Sequence, residues 1–296
     1  MKNPFSGSES EDKIDEALVD AAVQGDRASL EELVSRHQPW IYNIAVRMVY
    51  NPQDAQDVTQ EVLLKILLRL STFRKESSFR TWMYRIVANH VLEVKRKEQH
   101  TISFSEYAKI INSTPDLELP DADALPVDAS LLVKETQYEC MMGMLLCLDP
   151  MQRLTFILGA LMGVTDAVGS EILGISKANF RQKLARARRD LHAFMNQQCG
   201  LVNPANPCRC AKKTRALIDR GVVNPLSLVY NANYYQRIEQ MVDSKLQASV
   251  EWFDARCTEL LREQPFYTTP AFAAELRVLL NNPQFQEIFN LRDGPK

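Results

Sequence analysis

The 296-residue chain lacks any run of about 18 apolar residues, the length that an α-helix needs to cross a bilayer. Its opening residues, MKNPFSGSESEDKIDE, are polar and acidic and contain no apolar run of the kind found in signal peptides. We therefore expect a cytoplasmic protein with no membrane partner. Its six cysteines are expected to be reduced thiols in that compartment.

Strand patterns are also missing, because no stretch of any length alternates apolar and polar residues. Apolar residues recur instead at helical spacing, so the predicted fold class is all-α. The chain is too long for one small core, and several domains are expected. We predict a disordered N-terminus at 1–14, a helical domain at 15–100, an acidic linker at 101–130, a second helical domain at 131–197 and a helical C-terminal extension at 198–296. The linker assignment depends on prolines, acids and weak periodicity.

Charge is unevenly distributed along the chain, although the net charge is only −2. Seven bases and two acids lie between Arg74 and Lys97, and six bases and no acid lie between Lys177 and Arg189. The stretch from Gln99 to Leu148 holds two bases, Lys109 and Lys134, against eight acids. This pattern indicates that the two basic blocks bind an anionic partner and that the acidic connector between them does not.

The second basic block has the pattern of a helix-turn-helix motif. A short helix is predicted from Thr165 to Leu173, Gly174 suits the tight turn, and Ser176 caps the next helix. That helix buries an apolar stripe and presents polar and basic side chains on its other face: Lys177, Asn179, Arg181, Gln182, Lys183, Arg186 and Arg189. Arg, Asn and Gln side chains can pair with base edges in the major groove, and later bases such as Arg189 can reach phosphates. The alternative is a solvated basic face.

The first basic block mixes aromatic and basic residues on one predicted helix after a basic loop, STFRKESS. We expect Arg80, Tyr84, Arg85, Ala88, Asn89 and Arg96 to face outward, with Trp82 at the edge of the core. Aromatic rings can stack on unpaired bases, at about 1–3 kcal/mol for each base, while basic side chains follow the phosphates. Single-stranded DNA is the predicted ligand. The alternative for Phe79 and Trp82 is simple packing in the core.

These two stretches resemble the sigma subunits of bacterial RNA polymerase, in particular the extracytoplasmic-function group. NPQDAQDVTQEVLLKILLRLSTF and SFRTWMYRIVANHVLEVKR resemble the family's region 2, and SKANFRQKLARARRDL resembles its region 4. The likeness extends from about Leu18 to Met195. Glu93 departs from the family's usual aspartate, and the segment beyond Met195 is not explained by the resemblance.

The resemblance implies a function in transcription initiation and transcription regulation, with core RNA polymerase and promoter DNA as partners and an anti-sigma factor as a further candidate. Polymerase β′ clamp helices would bind Asp54, Asp57, Gln60, Glu61 and Lys65. The melted −10 strand would contact Arg74, Lys75, Ser78, Arg80, Trp82, Tyr84, Arg85, Asn89 and Arg96. The helix-turn-helix would bind the −35 element. In this interpretation the protein is not an enzyme and needs no cofactor.

The C-terminal extension opens with CGLVNPANPCRCAKK, which places Cys199, Cys208 and Cys210 close together. Three thiolates would need a fourth ligand for a tetrahedral metal site, and His192 and Cys257 are available. The spacing matches no common zinc pattern, so no metal site is predicted and the three cysteines remain a weak candidate set. Amphipathic helices are expected from about Tyr234 to Glu263 and from Pro270 to Leu280.

Two other functions compete with the sigma interpretation. A stand-alone helix-turn-helix regulator that binds duplex operators would explain the second basic block but leave the first without a role. An enzyme in the extension is disfavoured, because the extension contains no nucleophile–base pair and no phosphate-binding loop.

Overall fold

The structure is a computed structural model that describes residues 9–98, 102–120 and 125–230, together with Tyr267 and positions 278, 280–282 and 286. The described residues form mainly helices and turns, and an isolated β-bridge joins Cys199 and Cys208. This confirms the all-α prediction. The helices predicted from Tyr234 to Glu263 and from Pro270 to Leu280 lie almost entirely outside the described residues.

Ten α-helices follow one another in the described chain, and the last turn of α7 continues as a π-helix at Ile157–Leu161. They are α1 Glu9–Val23, α2 Arg27–Val49, α3 Pro52–Arg69, α4 Phe79–Glu98, α5 Phe104–Ser113, α6 Ala129–Leu145, α7 Pro150–Phe156, α8 Asp166–Leu173, α9 Lys177–Gln198 and α10 Cys210–Asp219. A short 3-10 turn, Leu70–Thr72, follows α3.

The helices belong to two compact units. The first contains 2–99, 157–182 and 267–296, and the second contains 100–156 and 183–266. The core of the first unit is the packing of α1, α3 and α4 around α2. Ile41, Ala45 and Met48 of α2 are fully buried there. Asn51 caps α3 by accepting hydrogen bonds from the amides that follow Pro52, as its sequence pattern predicts.

The predicted disorder of 1–14 is wrong for the residues from Glu9 onward, which form the start of α1. The reason is a tertiary contact that sequence periodicity does not show. Arg80 of α4 is buried and forms ion pairs with two carboxylates of this helix. Its Nε lies 2.8 Å from Asp15 Oδ2, and its Nη2 lies 3.0 Å from Glu11 Oε2. A buried guanidinium requires such partners, and the acidic side of α1 supplies them.

The second unit includes a helix, α5, within the segment predicted to be an acidic linker. The weak helical periodicity of that segment did not predict it. Ser103 and Glu106 form a reciprocal capping box at the start of α5. The rings of Phe104 and Tyr107 then pack against Phe194 of α9, with centroids 5.2 and 5.9 Å away. The linker is therefore a capped helix followed by an extended segment.

Buried polar side chains fix two further places in the second unit. Arg153 is fully buried and donates hydrogen bonds to three main-chain carbonyls at and just beyond the end of α6, those of Leu145, Leu146 and Leu148. Glu135 of α6 accepts hydrogen bonds from the amides of Val229 and Tyr230. The extension is thus anchored to α6 at Val229 and Tyr230 by a carboxylate that is itself buried.

Candidate protein and nucleic-acid interfaces

One face of α3 is acidic and accessible. Asp54, Asp57 and Glu61 are exposed, whereas Gln60 and Lys65 are half-buried. The 3.6-residue repeat places positions 57, 61 and 65 in one row, so three of the five predicted polymerase contacts share a line on the surface. The exposure expected for Asp57 is confirmed.

His90 of α4 lies beneath this face and was not predicted from the sequence. Lys65 Nζ is 2.7 Å from its Nδ1, and Glu61 Oε2 is 3.2 Å from its Nε2. The imidazole is only 5% exposed. Its ring therefore lies within contact distance of the side chains of Glu61 and Lys65 at the acidic face. A contact between two helices leaves no local signal in the sequence, which is why it escaped prediction.

Three residues expected to face outward on α4 are buried, and that expectation is wrong. Arg80 is 6% exposed and pairs with Asp15 and Glu11, while Tyr84 is 1% and Ala88 is 2% exposed. Burial raises the pKa of the Tyr84 phenol well above its ordinary value, so the ring is neutral. Arg80 and Tyr84 support α4 from within the unit and do not offer their side chains to a ligand.

Burial opposes ionisation of Asp15, but hydrogen bonds and charges from His37 and Arg80 outweigh it and lower the pKa of this carboxyl to about 2. Arg36 Nε adds a further contact at 2.9 Å. The carboxylate is therefore ionised at neutral pH and joins α1, α2 and α4.

An aromatic cluster lies at the beginning of α4. Phe79 is buried, and its ring is 5.5 Å from that of Phe73 and 5.7 Å from that of Trp82. Trp82 is half-buried and also lies 5.6 Å from Phe73. Of the two alternatives for these rings, core packing applies to Phe79, whereas Trp82 keeps part of its surface accessible.

The remaining predicted −10 contacts form an accessible set around the start and outer side of α4. Arg74, Lys75, Arg85 and Asn89 are exposed, and Ser78 is half-buried. Ser78 accepts a hydrogen bond from the Thr81 amide and so caps the helix. Lys75 pairs with Asp20 at 2.7 Å. The side chain of Arg96 lies outside the described residues.

The helix-turn-helix forms as predicted. Thr165 caps α8, Gly174 ends it with φ +63°, and the Ser176 hydroxyl accepts a hydrogen bond from the Asn179 amide at the start of α9. Gly169 of α8 lies against the Phe180 ring, where a Cβ atom would collide with the ring edge. This glycine lets the two helices of the motif approach closely.

The outer face of α9 presents the predicted row of polar and basic side chains. Five members of the row are exposed: Lys177, Arg181, Gln182, Arg186 and Arg189. The other two, Asn179 and Lys183, are half-buried. Phe180, Ala187 and Leu191 are buried on the other face. Arg181 pairs with Asp166 of α8 at 3.3 Å, and both side chains remain accessible.

Helix α8 packs against α4 within the first unit. Arg85 Nη2 of α4 lies 3.4 Å from Glu171 Oε1 of α8, and both side chains are about half-exposed. The first helix of the helix-turn-helix therefore lies beside one of the basic residues predicted to hold a DNA strand.

The chain matches the Sigma-70 region 2 domain over residues 33–101. The RNA polymerase sigma-H factor of Pseudomonas aeruginosa is 32% identical over 129 residues, which cover 41% of this chain and 67% of that protein. The chain belongs to the RNA polymerase sigma factors of the extracytoplasmic-function type.

Two further relatives show how the likeness is distributed. The sigma factor NccH of Alcaligenes xylosoxydans xylosoxydans is 27% identical over 184 residues, 62% of this chain and 95% of that protein. The ECF sigma-E factor of Escherichia coli K12 is 38% identical over 80 residues, 27% of this chain and 41% of that protein. In this sigma factor, α3 and α4 belong to the matched region 2, and α8 and α9 form the helix-turn-helix. Sigma factors are not an enzyme class.

The extension of this sigma factor contacts the linker inside the second unit. The Leu117 amide donates to the Lys212 carbonyl at 2.8 Å, and Lys213 Nζ lies 3.0 Å from Asp116 and also reaches the Thr114 carbonyl. Arg220 donates to the Thr114 hydroxyl at 3.2 Å. The acidic linker and basic α10 therefore meet along a short, specific contact.

A later residue of the extension is placed in the first unit. Asn43 of α2 donates to the Tyr267 carbonyl at 3.1 Å and accepts from its amide at 2.8 Å. The guanidinium carbon of Arg47 lies 5.0 Å from the centre of the Tyr267 ring. Tyr267 is 4% exposed, so its side chain is buried against α2 of region 2.

No helix among the described residues is both long enough and apolar enough to span a membrane.

Proposed function

We propose that this sigma factor binds core RNA polymerase through the exposed acidic face of α3. Asp54, Asp57 and Glu61 supply the charge, and Gln60 and Lys65 lie at its inner edge. A surface of one sign favours rapid association with a basic partner surface. His90 supports this proposal, because its ring nitrogens lie 2.7 Å from Lys65 Nζ and 3.2 Å from Glu61 Oε2, two of the five side chains.

Promoter melting is assigned to the beginning of α4 and the loop before it. Arg74, Lys75, Arg85 and Asn89 are accessible for phosphates and base edges, and the exposed edge of Trp82 is available for stacking on an unpaired base. Arg80 and Tyr84, buried beneath them, hold the helix in position. Of the −10 contacts predicted from the sequence, the proposal retains the accessible Arg74, Lys75, Arg85 and Asn89 and excludes the buried Arg80 and Tyr84.

Reading of the −35 element is assigned to α9. The first turns present Lys177, Asn179, Arg181 and Gln182 for base edges in the major groove, as expected of a recognition helix. Arg186 and Arg189 lie farther along the same exposed row, where phosphate contacts would set the register.

The contact between α4 and α8 represents a closed state that separates on the promoter. The −10 and −35 elements lie about 25 base pairs apart, which is about 85 Å of duplex at about 3.4 Å for each base pair. Helices that contact each other cannot occupy both elements at once. The Arg85–Glu171 pair is half-exposed and contributes at most about 1 kcal/mol, so it can be broken at small cost.

The extension is proposed to regulate the linker. Lys213 and Arg220 hold the segment at Thr114 and Asp116, and the backbone bond from Leu117 to Lys212 adds a directional contact. A linker held by α10 is less free to thread into polymerase than an unattached one. We place this regulation, like the rest of the function, in the cytoplasm.

The observation that carries the proposal is the presence of an accessible acidic α3 face together with two separate basic helices. A promoter should first be selected from random duplexes with the reconstituted holoenzyme. Gel shifts on it then compare the protein alone, core polymerase alone and both together. A sigma factor shifts the duplex only with core polymerase. Tight binding by the protein alone, unchanged by polymerase, would instead identify a stand-alone regulator.

A further inference from the structure

Helix α2 of region 2 is covered on every side along its last turns. All nine residues from Ile41 to Val49 are buried. Successive residues turn by about 100° around a helix, so Asn43 and Arg47 lie on the opposite side of α2 from Ala45. Tyr267 of the extension contacts the side that carries Asn43 and Arg47. A residue more than 200 positions later in the chain therefore helps to enclose this helix.

The side chain of Asn43 binds the main chain of a single residue. Its Oδ1 accepts hydrogen bonds from the Tyr267 amide at 2.8 Å and from Arg47 Nη1 at 2.9 Å. Its Nδ2 donates to the Tyr267 carbonyl at 3.1 Å and to the Pro39 carbonyl at 2.8 Å. Both acceptor and both donor positions of the amide are used. Because Asn43 is fully buried, loss of its two bonds to Tyr267 would cost free energy unless another group replaced them.

The ring of Tyr267 lies beside this amide group. The guanidinium carbon of Arg47 is 5.0 Å from the centre of the ring, and the ring of Tyr42 meets it edge-on with the centroids 6.4 Å apart. A cation over an aromatic face and an edge-to-face ring pair are both attractive. These contacts favour an aromatic side chain, whereas Asn43 can accept the main chain of any residue except proline.

Tyr267 is suited to this contact by its place in the extension. It lies between the two helices predicted from the sequence, Tyr234 to Glu263 and Pro270 to Leu280, and its own backbone is not helical. Its amide and carbonyl are therefore available to a partner. Leu280 is also fully buried and belongs, with Tyr267, to the first unit. The end of the extension is thus part of the unit that contains region 2.

The other end of the extension is attached to the second unit. Glu135 accepts hydrogen bonds there from the amides of Val229 and Tyr230. Tyr230 and Tyr267 are separated by 36 residues of the same chain. A segment tethered in this way meets its site intramolecularly, so a separate peptide must exceed its effective concentration to displace it.

We propose that Tyr42, Asn43 and Arg47 form a docking site for an extended segment with an aromatic residue, and that Tyr267 of the same chain occupies it. In this state the extension closes that side of region 2 to other proteins. A protein that displaces the extension would need the same two features, an aromatic ring for Arg47 and a non-helical amide and carbonyl for Asn43. The proposal concerns the docking site itself and does not depend on the assignment of polymerase or promoter contacts.

The test uses the full-length protein and a fluorescein-labelled peptide that copies residues 262–272. Tyr267→Ala removes the ring from the resident segment, so this variant should bind the peptide at least about tenfold more tightly than the wild type. Leu226→Ala is the matched control, because Leu226 is an exposed residue of the extension, and it should bind the peptide no better than the wild type. A peptide with alanine in place of its tyrosine should not bind. Fluorescence anisotropy measures all of these affinities.

Hydrogen exchange of the wild type gives a second measurement that does not depend on how the variants fold. The Tyr267 amide donates to Asn43, so it should exchange at least about tenfold more slowly than an unstructured amide, at every protein concentration. A peptide with benzophenone in place of the tyrosine ring should cross-link to α2 in Tyr267→Ala.

Three results would overturn the proposal: an unprotected Tyr267 amide, equal peptide binding by the wild type and Tyr267→Ala, or cross-links outside α2. Protection that appears only at high protein concentration would place the Tyr267 of a second copy in the site and would overturn docking within one chain.

Discussion

The ammonium group of Lys213 lies 3.0 Å from the carboxylate of Asp116, and the two residues join α10 of the extension to the linker. Lys213 is largely covered, whereas Asp116 is half-exposed. The neighbouring Leu117 amide donates to Lys212 at 2.8 Å. An opposite-charge contact thus accompanies a backbone hydrogen bond that hydrogen exchange can report.

The first prediction is that Lys213→Ala loosens the linker. A half-exposed ion pair contributes up to about 1 kcal/mol, so exchange of the Leu117 amide should accelerate by up to about fivefold. Lys212→Ala is the matched control, because Lys212 is exposed and offers only its carbonyl to the contact. Equal exchange in both variants and the wild type would show that the ion pair does not hold the linker.

The sequence shows an acidic linker and a basic segment in the extension, whose opposite charges favour association, but it does not identify Asp116 and Lys213 as the pair that meets. The helix-turn-helix was predicted in more detail because its signals are local: Thr165, Gly174 and Ser176 each act within one helical turn of their own position. The inward direction of Arg80 could not be predicted, since its partner Asp15 lies 65 residues away on another helix. Whether a charged residue of a basic helix is buried can be seen only when the fold brings its partner from another helix into contact.

Helix α5 shows a different kind of failure. Its capping box, Ser103 with Glu106, is a local signal that was available in the sequence. The helix is short, however, and its stability depends on packing of Phe104 and Tyr107 against Phe194, about 90 residues later in the chain. The acid- and proline-rich composition of the segment predicted a linker, whereas tertiary contacts stabilise a helix there.

The second prediction concerns acid stability. The pKa of Asp15 is lowered to about 2, so its contribution to folding is present above the unfolded value of about 3.9 and is lost as the pH falls through 2. Asp15→Asn should reduce the free energy of unfolding by about 2–3 kcal/mol at pH 7 and by about half of that at pH 3. Urea unfolding followed by circular dichroism at the two pH values measures this.

Asp20→Asn is the control for that experiment, because Asp20 is half-exposed and pairs with the accessible Lys75. Its effect should stay below about 1 kcal/mol. If Asp15→Asn costs no more than Asp20→Asn, or costs the same at both pH values, the buried Asp15–Arg80 pair does not stabilise the fold as described.

The third prediction separates base contacts from phosphate contacts on α9. Arg181→Ala should cost about 1–3 kcal/mol and relax the preference at one −35 position, because Arg181 lies near the start of the recognition helix. Arg189→Ala should weaken all promoters alike and lower the slope of log affinity against log salt by about one unit. Holoenzyme binding to promoter variants over a salt series checks both. Identical behaviour of the two variants would refute this division.

The fourth prediction is that α4 and α8 separate when the holoenzyme binds a promoter. Fluorescent labels at Asn89 and Ala167, in a variant whose activity is verified, should report a short distance in the free protein and a much longer one on DNA. Glu171→Ala should shift the free protein toward the open state by up to about fivefold, since it removes the half-exposed pair with Arg85. An unchanged distance on bound promoter would show that the contact is not a closed state.

The most direct test of the central claim is the affinity of the protein for core RNA polymerase, measured by fluorescence anisotropy with the wild type and Asp57→Arg. Asp57 is exposed, so the reversal of charge should leave the circular dichroism spectrum unchanged. Gln56→Arg, half-buried on α3 and outside the row of 57, 61 and 65, adds the same positive group as a control. The account predicts tight binding by the wild type and Gln56→Arg and loss of at least about tenfold in affinity for Asp57→Arg. Wild-type affinity in Asp57→Arg, or absence of core binding by the wild type, would contradict it.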